Sequence, residues 1–184
     1  MVILASASPR RRDLLALITP EFEVAVSGAD ESCDIADPRK MVRFLAEKKA
    51  ASVAQDYPDE TVIGADTVVE AGGEVFGKPA DFEDARRMLR ALSGNVHFVH
   101  TGVCVTCGGR KITEAFTTKV FFRPLDPQEI EEYLAQENVM DKAGAYAIQG
   151  SAARFVEGIE GCFFNVVGLP VSGLYGMLKK LDQV

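Results

Sequence analysis

Apolar and polar positions fall in short blocks along this chain, and the first block combines several structural signals. Val2, Ile3, Leu4 and Ala5 form an apolar run of the kind a buried strand needs. It stops at Ser6-Ala7-Ser8. Pro9 sits where a helix would begin, and Leu14, Leu15, Leu17 and Ile18 recur on one helical face. Phe22 to Val26 alternates like a second strand and ends at Ser27-Gly28. Pro38 opens a helix predicted to run to about Ala54, with Met41, Val42, Leu45 and Val53 on its apolar side and Arg43, Glu47, Lys48 and Lys49 on its polar side.

Thr61 to Val69 is apolar almost throughout, with β-branched residues at six positions, and reads as a central strand. A Gly72-Gly73 turn and a short strand lead to Gly77-Lys78-Pro79, and Asp81 caps a helix from Asp84 to Leu92. Asn95 to about Arg123 predicts a long hairpin turning at Cys107-Gly108-Gly109-Arg110, which makes the sheet mixed. Asp126 caps a helix over Gln128 to Gln136, Phe163 to Pro170 reads as a strand closing into a turn, and the last helix runs from Pro170 to about Leu181. No repeat, low-complexity tract or linker breaks this order, so residues 1–184 read as one domain.

Composition narrows what such a domain can do. A formal net charge of −7 argues against binding to nucleic acid or to an anionic membrane surface, which needs a basic field. No run approaches the roughly 18 apolar residues of a membrane span, and Met1-Val2-Ile3 lacks the charged start of a signal peptide, so a cytoplasmic protein is expected. The four cysteines are too scattered for a disulfide framework. Cys104 and Cys107 have metal-site spacing, but on a strand residues three apart point to opposite faces, which predicts structural thiols; the same geometry excludes His97 and His100 as a metal pair.

Against this acidic background the local chemistry stands out. A strand, a serine loop and a helix start beside Arg10, Arg11 and Arg12 suit an anion such as phosphate, the alternative being a Ser8 N-cap with three solvated arginines. Asp66 interrupts the central strand. A carboxylate buried there costs several kcal/mol unless paired, hydrogen-bonded or metal-bound, so it should face a cleft or a partner, or serve as a structural hydrogen-bond acceptor. Lys78, before Pro79, is at a loop edge from which it can reach inward or remain solvated. The small, polar run Asp141 to Ala153 reads either as a plain loop or as a ligand edge, where the Gln149 amide supplies both a donor and an acceptor for a base.

SASPRR (Ser6 to Arg11), GADTVV (Gly64 to Val69), GKP (Gly77 to Pro79), LSG (Leu92 to Gly94), DKAGAYAIQG (Asp141 to Gly150) and VVGLP (Val166 to Pro170) stand in an order that resembles the Maf family of nucleotide pyrophosphatases over nearly the whole chain. The resemblance implies an α/β, ITPase-like (Maf/Ham1-type) fold: a long, twisted mixed sheet flanked by helices, with a central cleft between two lobes. It also implies hydrolysis of a nucleoside triphosphate to the monophosphate and pyrophosphate with a divalent cation, Mg²⁺ or Mn²⁺. By motif, Asp66 would be the catalytic carboxylate. Ser8, Arg10, Arg11, Lys49 and Lys78 would bind substrate and its phosphates, and Glu31 with Asp66 would hold the metal. Arg10, Thr67 and Gln149 resemble the subgroup acting on dTTP and UTP, a house-cleaning activity that extends to modified pyrimidine nucleotides.

Arg12 and the pair Cys162-Phe163 depart from the family pattern and bear on fine substrate preference. A nucleoside triphosphate is the expected partner, with no nucleic acid or membrane, and a homodimer is compatible with the exposed elements. Two other functions fit the motifs less fully. One is a nucleotide-binding regulator of cell division and septum formation without turnover. The other is an aspartyl phosphatase, which Val68 disfavours because a second aspartate is usual there.

Overall fold

The computed structural model describes residues 1–183. It contains a mixed seven-stranded sheet flanked by helices, with strand order β2-β1-β3-β5-β6-β7 and β4 paired to β3. The strands are β1 (Val2–Leu4), β2 (Glu23–Val24), β3 (Thr61–Ala71), β4 (Glu74–Phe76), β5 (Val96–Cys107), β6 (Arg110–Phe122) and β7 (Val156–Glu160). The helices are α1 (Pro9–Leu15), α2 (Pro38–Ala54), α3 (Phe82–Leu92), α4 (Pro127–Gln136), α5 (Phe163–Val167) and α6 (Val171–Lys180). β1 lies between β2 and β3 and runs parallel to both, whereas β4 pairs antiparallel with β3 and β7 with β6.

The chain divides into two compact units. The first comprises residues 1–66, 101–116 and 164 onward; the second comprises residues 67–100 and 117–163. In the first unit, the two faces of the parallel strands feed two cores. Leu4, Ile63, Ala65, Val103 and Val105 pack with Leu14 and Leu15 of α1 and with Leu174, Met177 and Leu178 of α6. Ile3, Ala5, Val62 and Cys104 face the other way, onto Ala46, Ala50 and Val53 of α2. This division is the period-two alternation of strand side chains read out in packing.

The second unit packs α3 against α4 and the 3₁₀ turn at Ala143–Ala145. Both helices start on aspartate caps: Asp81 accepts from the Asp84 amide, and Asp126 forms a reciprocal capping box with Glu129. Rings fill the interior, with Phe122 and Tyr133 each edge-on to Phe155.

Four expectations change. The strand expected over Phe22–Val26 is only Glu23–Val24 and is exposed, because it borders the sheet. Leu17 is exposed, since α1 ends at Leu15. Phe163 to Val167, strand-like in composition, is a short helix; the Gly168 amide (φ 123°) bonds back to Phe164 and Asn165, and the Leu169 amide bonds to Phe164, closing the helix end. β7 is an additional strand, paired along Lys119–Phe122 with an irregularity at Phe121/Phe122, and its Val-Glu-Gly-Ile-Glu sequence lacks clean alternation.

Candidate active site

Two glycines bring a helix down onto the strand that carries Asp66. A Cβ on Gly64 would lie 2.3 Å from the Ala46 carbonyl oxygen, and one on Gly102 would lie 2.1 Å from that of Val42, so α2 rests directly on the backbone of β3 and β5. Residues two apart on a strand share a face, so Asp66 points toward α2 as Gly64 does. Lys49 lies within the stripe formed by Ala46, Ala50 and Val53, one turn along from Ala46. Its position on the predicted polar side is therefore corrected: Lys49 is 9% exposed and Asp66 7%.

The Lys49 ammonium donates to Asp66 Oδ1 at 2.6 Å and forms an ion pair with Glu31 Oε2 at 3.0 Å, from the exposed end of the acidic loop. Two carboxylates thus converge on one buried cation. The buried Lys49–Asp66 pair offsets little more than its own desolvation, and an apolar pair would pack at least as well, so stability does not account for it.

Arg11 reaches the same region by another route. Its Nε donates to the Gly168 carbonyl and its Nη1 to the Ala65 carbonyl, each at 2.9 Å, with a further bond from Nη1 to Ser6 Oγ at 3.3 Å. It therefore clamps the residue before Asp66, the loop after α5 and the serine loop. Burial pulls its guanidinium below the ordinary value; Asp66 opposes that effect and Arg10 adds to it. Ser8 occupies the N-cap of α1 without a side-chain capping bond, and its amide donates to Ser6 Oγ. Arg10 is half-buried and Arg12 exposed.

The other sequence-predicted residues belong to the second unit. Thr67 is half-buried on β3, while Lys78 and Gln149 are exposed. The loop before Lys78 is tied to the Asp141–Gly150 segment by a bond from the Gly144 amide to the Gly77 carbonyl at 3.0 Å. Gly144 (φ 67°) has no room for a side chain: a Cβ would lie 2.9 Å from Val69 Cγ2. Ala145 follows in the same left-handed region (φ 62°), which is uncommon outside glycine.

The two histidines face different partners, His97 bonding to Tyr146 and His100 bridging Thr117 and Glu70. The four cysteines are free thiols, with Cys104 buried and the others half-buried. Among the described residues no group of three or more His, Cys, Asp or Glu side chains could cage a metal. None of the described helices is long and apolar enough to cross a membrane.

The two buried cations of this site differ in how far the sequence pattern reveals them. Arg11 spends donors on main-chain carbonyls, which no spacing rule announces. Lys49 was detectable, because a lysine within the stripe Ala46, Ala50, Val53 is the signature of a buried charge.

Comparison with known proteins adds to this geometry. The family description "Maf-like protein" matches residues 1–181. A dTTP/UTP pyrophosphatase of Pelotomaculum thermopropionicum is 51% identical over 97% of this chain and 95% of its own length. One from Thermococcus kodakarensis is 48% identical over 98% and 96%. The solved structure of the Staphylococcus aureus Ham1 protein superposes with a TM-score of 0.51 at 13% identity, covering 98% of both chains, a likeness of fold.

Proposed function

Because this chain belongs to the Maf family, we propose that it is a nucleoside triphosphate pyrophosphatase that cleaves dTTP and UTP to the monophosphate and pyrophosphate. The observation that carries the reading is the buried Lys49 ammonium held between Asp66 and Glu31. It supplies a carboxylate fixed at one oxygen, which is what a proton acceptor for an attacking water requires.

In this reaction water attacks the α-phosphorus, its proton passes to Asp66, and the bond from the α-phosphorus to the bridging oxygen breaks as pyrophosphate leaves. Lys49 fixes the Asp66 carboxylate by its bond to Oδ1. Arg11 holds the strand at Ala65 in register beneath it. Arg10, Ser8 and Lys78 are the proposed phosphate contacts, and Arg11 adds its charge to them. A triphosphate carries close to four negative charges at neutral pH, so catalysis here is largely positioning and charge stabilisation.

The donor set fits a divalent cation of the Mg²⁺ or Mn²⁺ type. Such an ion takes hard oxygen ligands and is commonly held by one or two carboxylates, with substrate phosphates and water completing the shell. Asp66 and Glu31 are two carboxylates drawn to one point, and no larger cage exists among the described residues. When bound, the ion supplies neutralisation of phosphate charge.

Thr67, Gln149 and Arg10 are the proposed determinants of pyrimidine choice, with the exposed Gln149 amide offering a donor and an acceptor to a base edge. One catalytic domain over residues 1–184 is supported by a single family description that spans residues of both units. Its substrate class argues for the cytoplasm. The test is a panel of ordinary and modified nucleotides with Mg²⁺ or Mn²⁺ and pyrophosphate as the readout. Pyrophosphate with dTMP or UMP is expected, and Asp66→Asn should abolish nearly all turnover. Orthophosphate release, binding without product over hours, or retained activity in a folded Asp66→Asn variant would overturn this reading.

A further inference from the structure

Within the second unit two buried phenols anchor the segment that presents Gln149: the Tyr133 hydroxyl is hydrogen-bonded to the Ala147 backbone, and Tyr146 makes the one side-chain contact from the segment to a buried imidazole. The Tyr146 hydroxyl lies 2.7 Å from Nε2 of His97, which has no exposed surface. The two rings meet edge-on at 5.4 Å, and Phe122 packs edge-on against His97 at 4.8 Å and Tyr146 at 4.9 Å. Apolar packing could fill this space equally well; the hydrogen bond adds direction, fixing how far the segment slides along the rings. Burial holds both groups neutral, pushing His97 down to about 4 and the Tyr146 phenol upward.

The contact sits at a consequential point in the chain. Tyr146 directly follows the left-handed pair Gly144 and Ala145, where the backbone reverses. Gly144 abuts Val69 of β3 and bonds to the carbonyl of Gly77, the residue before Lys78. Three residues after Tyr146 comes Gln149, which is exposed. A shift of the Tyr146 ring would therefore move both the reversal and the amide beyond it.

We propose that Tyr146 and His97 are positioning residues for substrate choice: their buried hydrogen bond sets the register of the segment that offers Gln149 to the base and steadies the Lys78 loop. The inference rests on the reading of Gln149 given above. Both side chains are buried, so the effect runs through Gln149 and Lys78. A positioning role moves KM and selectivity while kcat on the preferred substrate holds; a merely structural role lowers activity on every nucleotide alike.

The experiment compares kcat and KM for UTP, CTP and GTP in wild type, Tyr146→Phe, His97→Gln, His97→Leu and Gln149→Ala, with thermal denaturation reporting the fold. Tyr146→Phe removes one atom and keeps the ring, so it stays informative even where His97→Leu fails to fold. The expected result is an about tenfold fall in the kcat/KM preference for UTP in Tyr146→Phe, carried by KM. His97→Gln, whose amide can reach the position of Nε2 and keep a bond to the Tyr146 hydroxyl, should retain most of the preference that His97→Leu loses. A folded Tyr146→Phe variant with wild-type preference, or with equal loss on all three nucleotides, overturns the proposal. If Gln149→Ala alters the preference while Tyr146→Phe is silent, only the positioning inference falls; if Gln149→Ala itself leaves the preference unchanged, the reading of Gln149 falls and this inference with it.

Discussion

The two units hold their candidate site residues by opposite means. In the first, Lys49, Asp66 and Glu31 are charged groups held by one another beneath a helix brought close by Gly64 and Gly102. In the second, Tyr146 and His97 are neutral groups held by rings, and the backbone around them is bent through left-handed geometry. On the proposed function, charge is retained where phosphates would be balanced and a proton moved, despite its desolvation cost, and neutral contacts serve where only the position of an amide would matter. The first arrangement should therefore fail by losing chemistry, and the second by losing discrimination.

Asp66→Asn breaks the comparison at its strongest point. The amide keeps the shape and an oxygen for the Lys49 ammonium but has no capacity to take a proton, so kcat should fall by about a thousandfold or more. Thermal denaturation should show the fold retained, because Glu31 still pairs with Lys49. Gly64→Ala tests the same unit through packing alone. The added methyl group would lie 2.3 Å from the Ala46 carbonyl and 2.7 Å from the Ala50 amide, both backbone atoms that cannot rotate away. A loss of about 3 kcal/mol in denaturant unfolding is expected. Activity should fall with it as α2 lifts Lys49 from Asp66. Unchanged stability would mean that α2 does not rest on β3 as described.

Much of this architecture was legible in the sequence because its signals are local. Pro38 after Asp37, and Pro127 after Asp126, mark helix starts by fixed backbone angle and side-chain capping, and both helices begin there. The double-glycine turn at Gly108 and Gly109 likewise joins β5 to β6 as expected. What was not legible depends on tertiary context. Phe163-Phe164-Asn165-Val166-Val167 carries strand propensity, and only Gly168 with Pro170 two residues later marks it as the end of a helix. Asp66 could be singled out because a carboxylate in an apolar strand demands an explanation. Tyr146 could not, because an aromatic residue among alanines reads equally as core, and its partner His97 lies 49 residues away.

The smallest effect separates the units by pH. His97 is pushed down to about 4 by burial alone, against 6.5 when exposed, so between those values the unfolded chain binds a proton that the folded chain refuses. Stability therefore falls as pH drops through this window, by about 2 kcal/mol between pH 7 and pH 5, and levels off below about 4. The chain has two histidines, so few side chains compete in that range. The depressed carboxylates act lower: Arg123 holds Glu129 near 2, and the stability this contributes is lost only as pH falls below the ordinary carboxylate range. Urea unfolding at pH 7 and pH 5 should show the loss in wild type and a much flatter response in His97→Gln. Because His97 stays neutral in the folded protein over this interval, nucleotide preference should hold steady while stability declines. A preference that titrated along with stability would mean that the proton enters the folded second unit, and that the neutral contact described for Tyr146 is not the one that positions its segment.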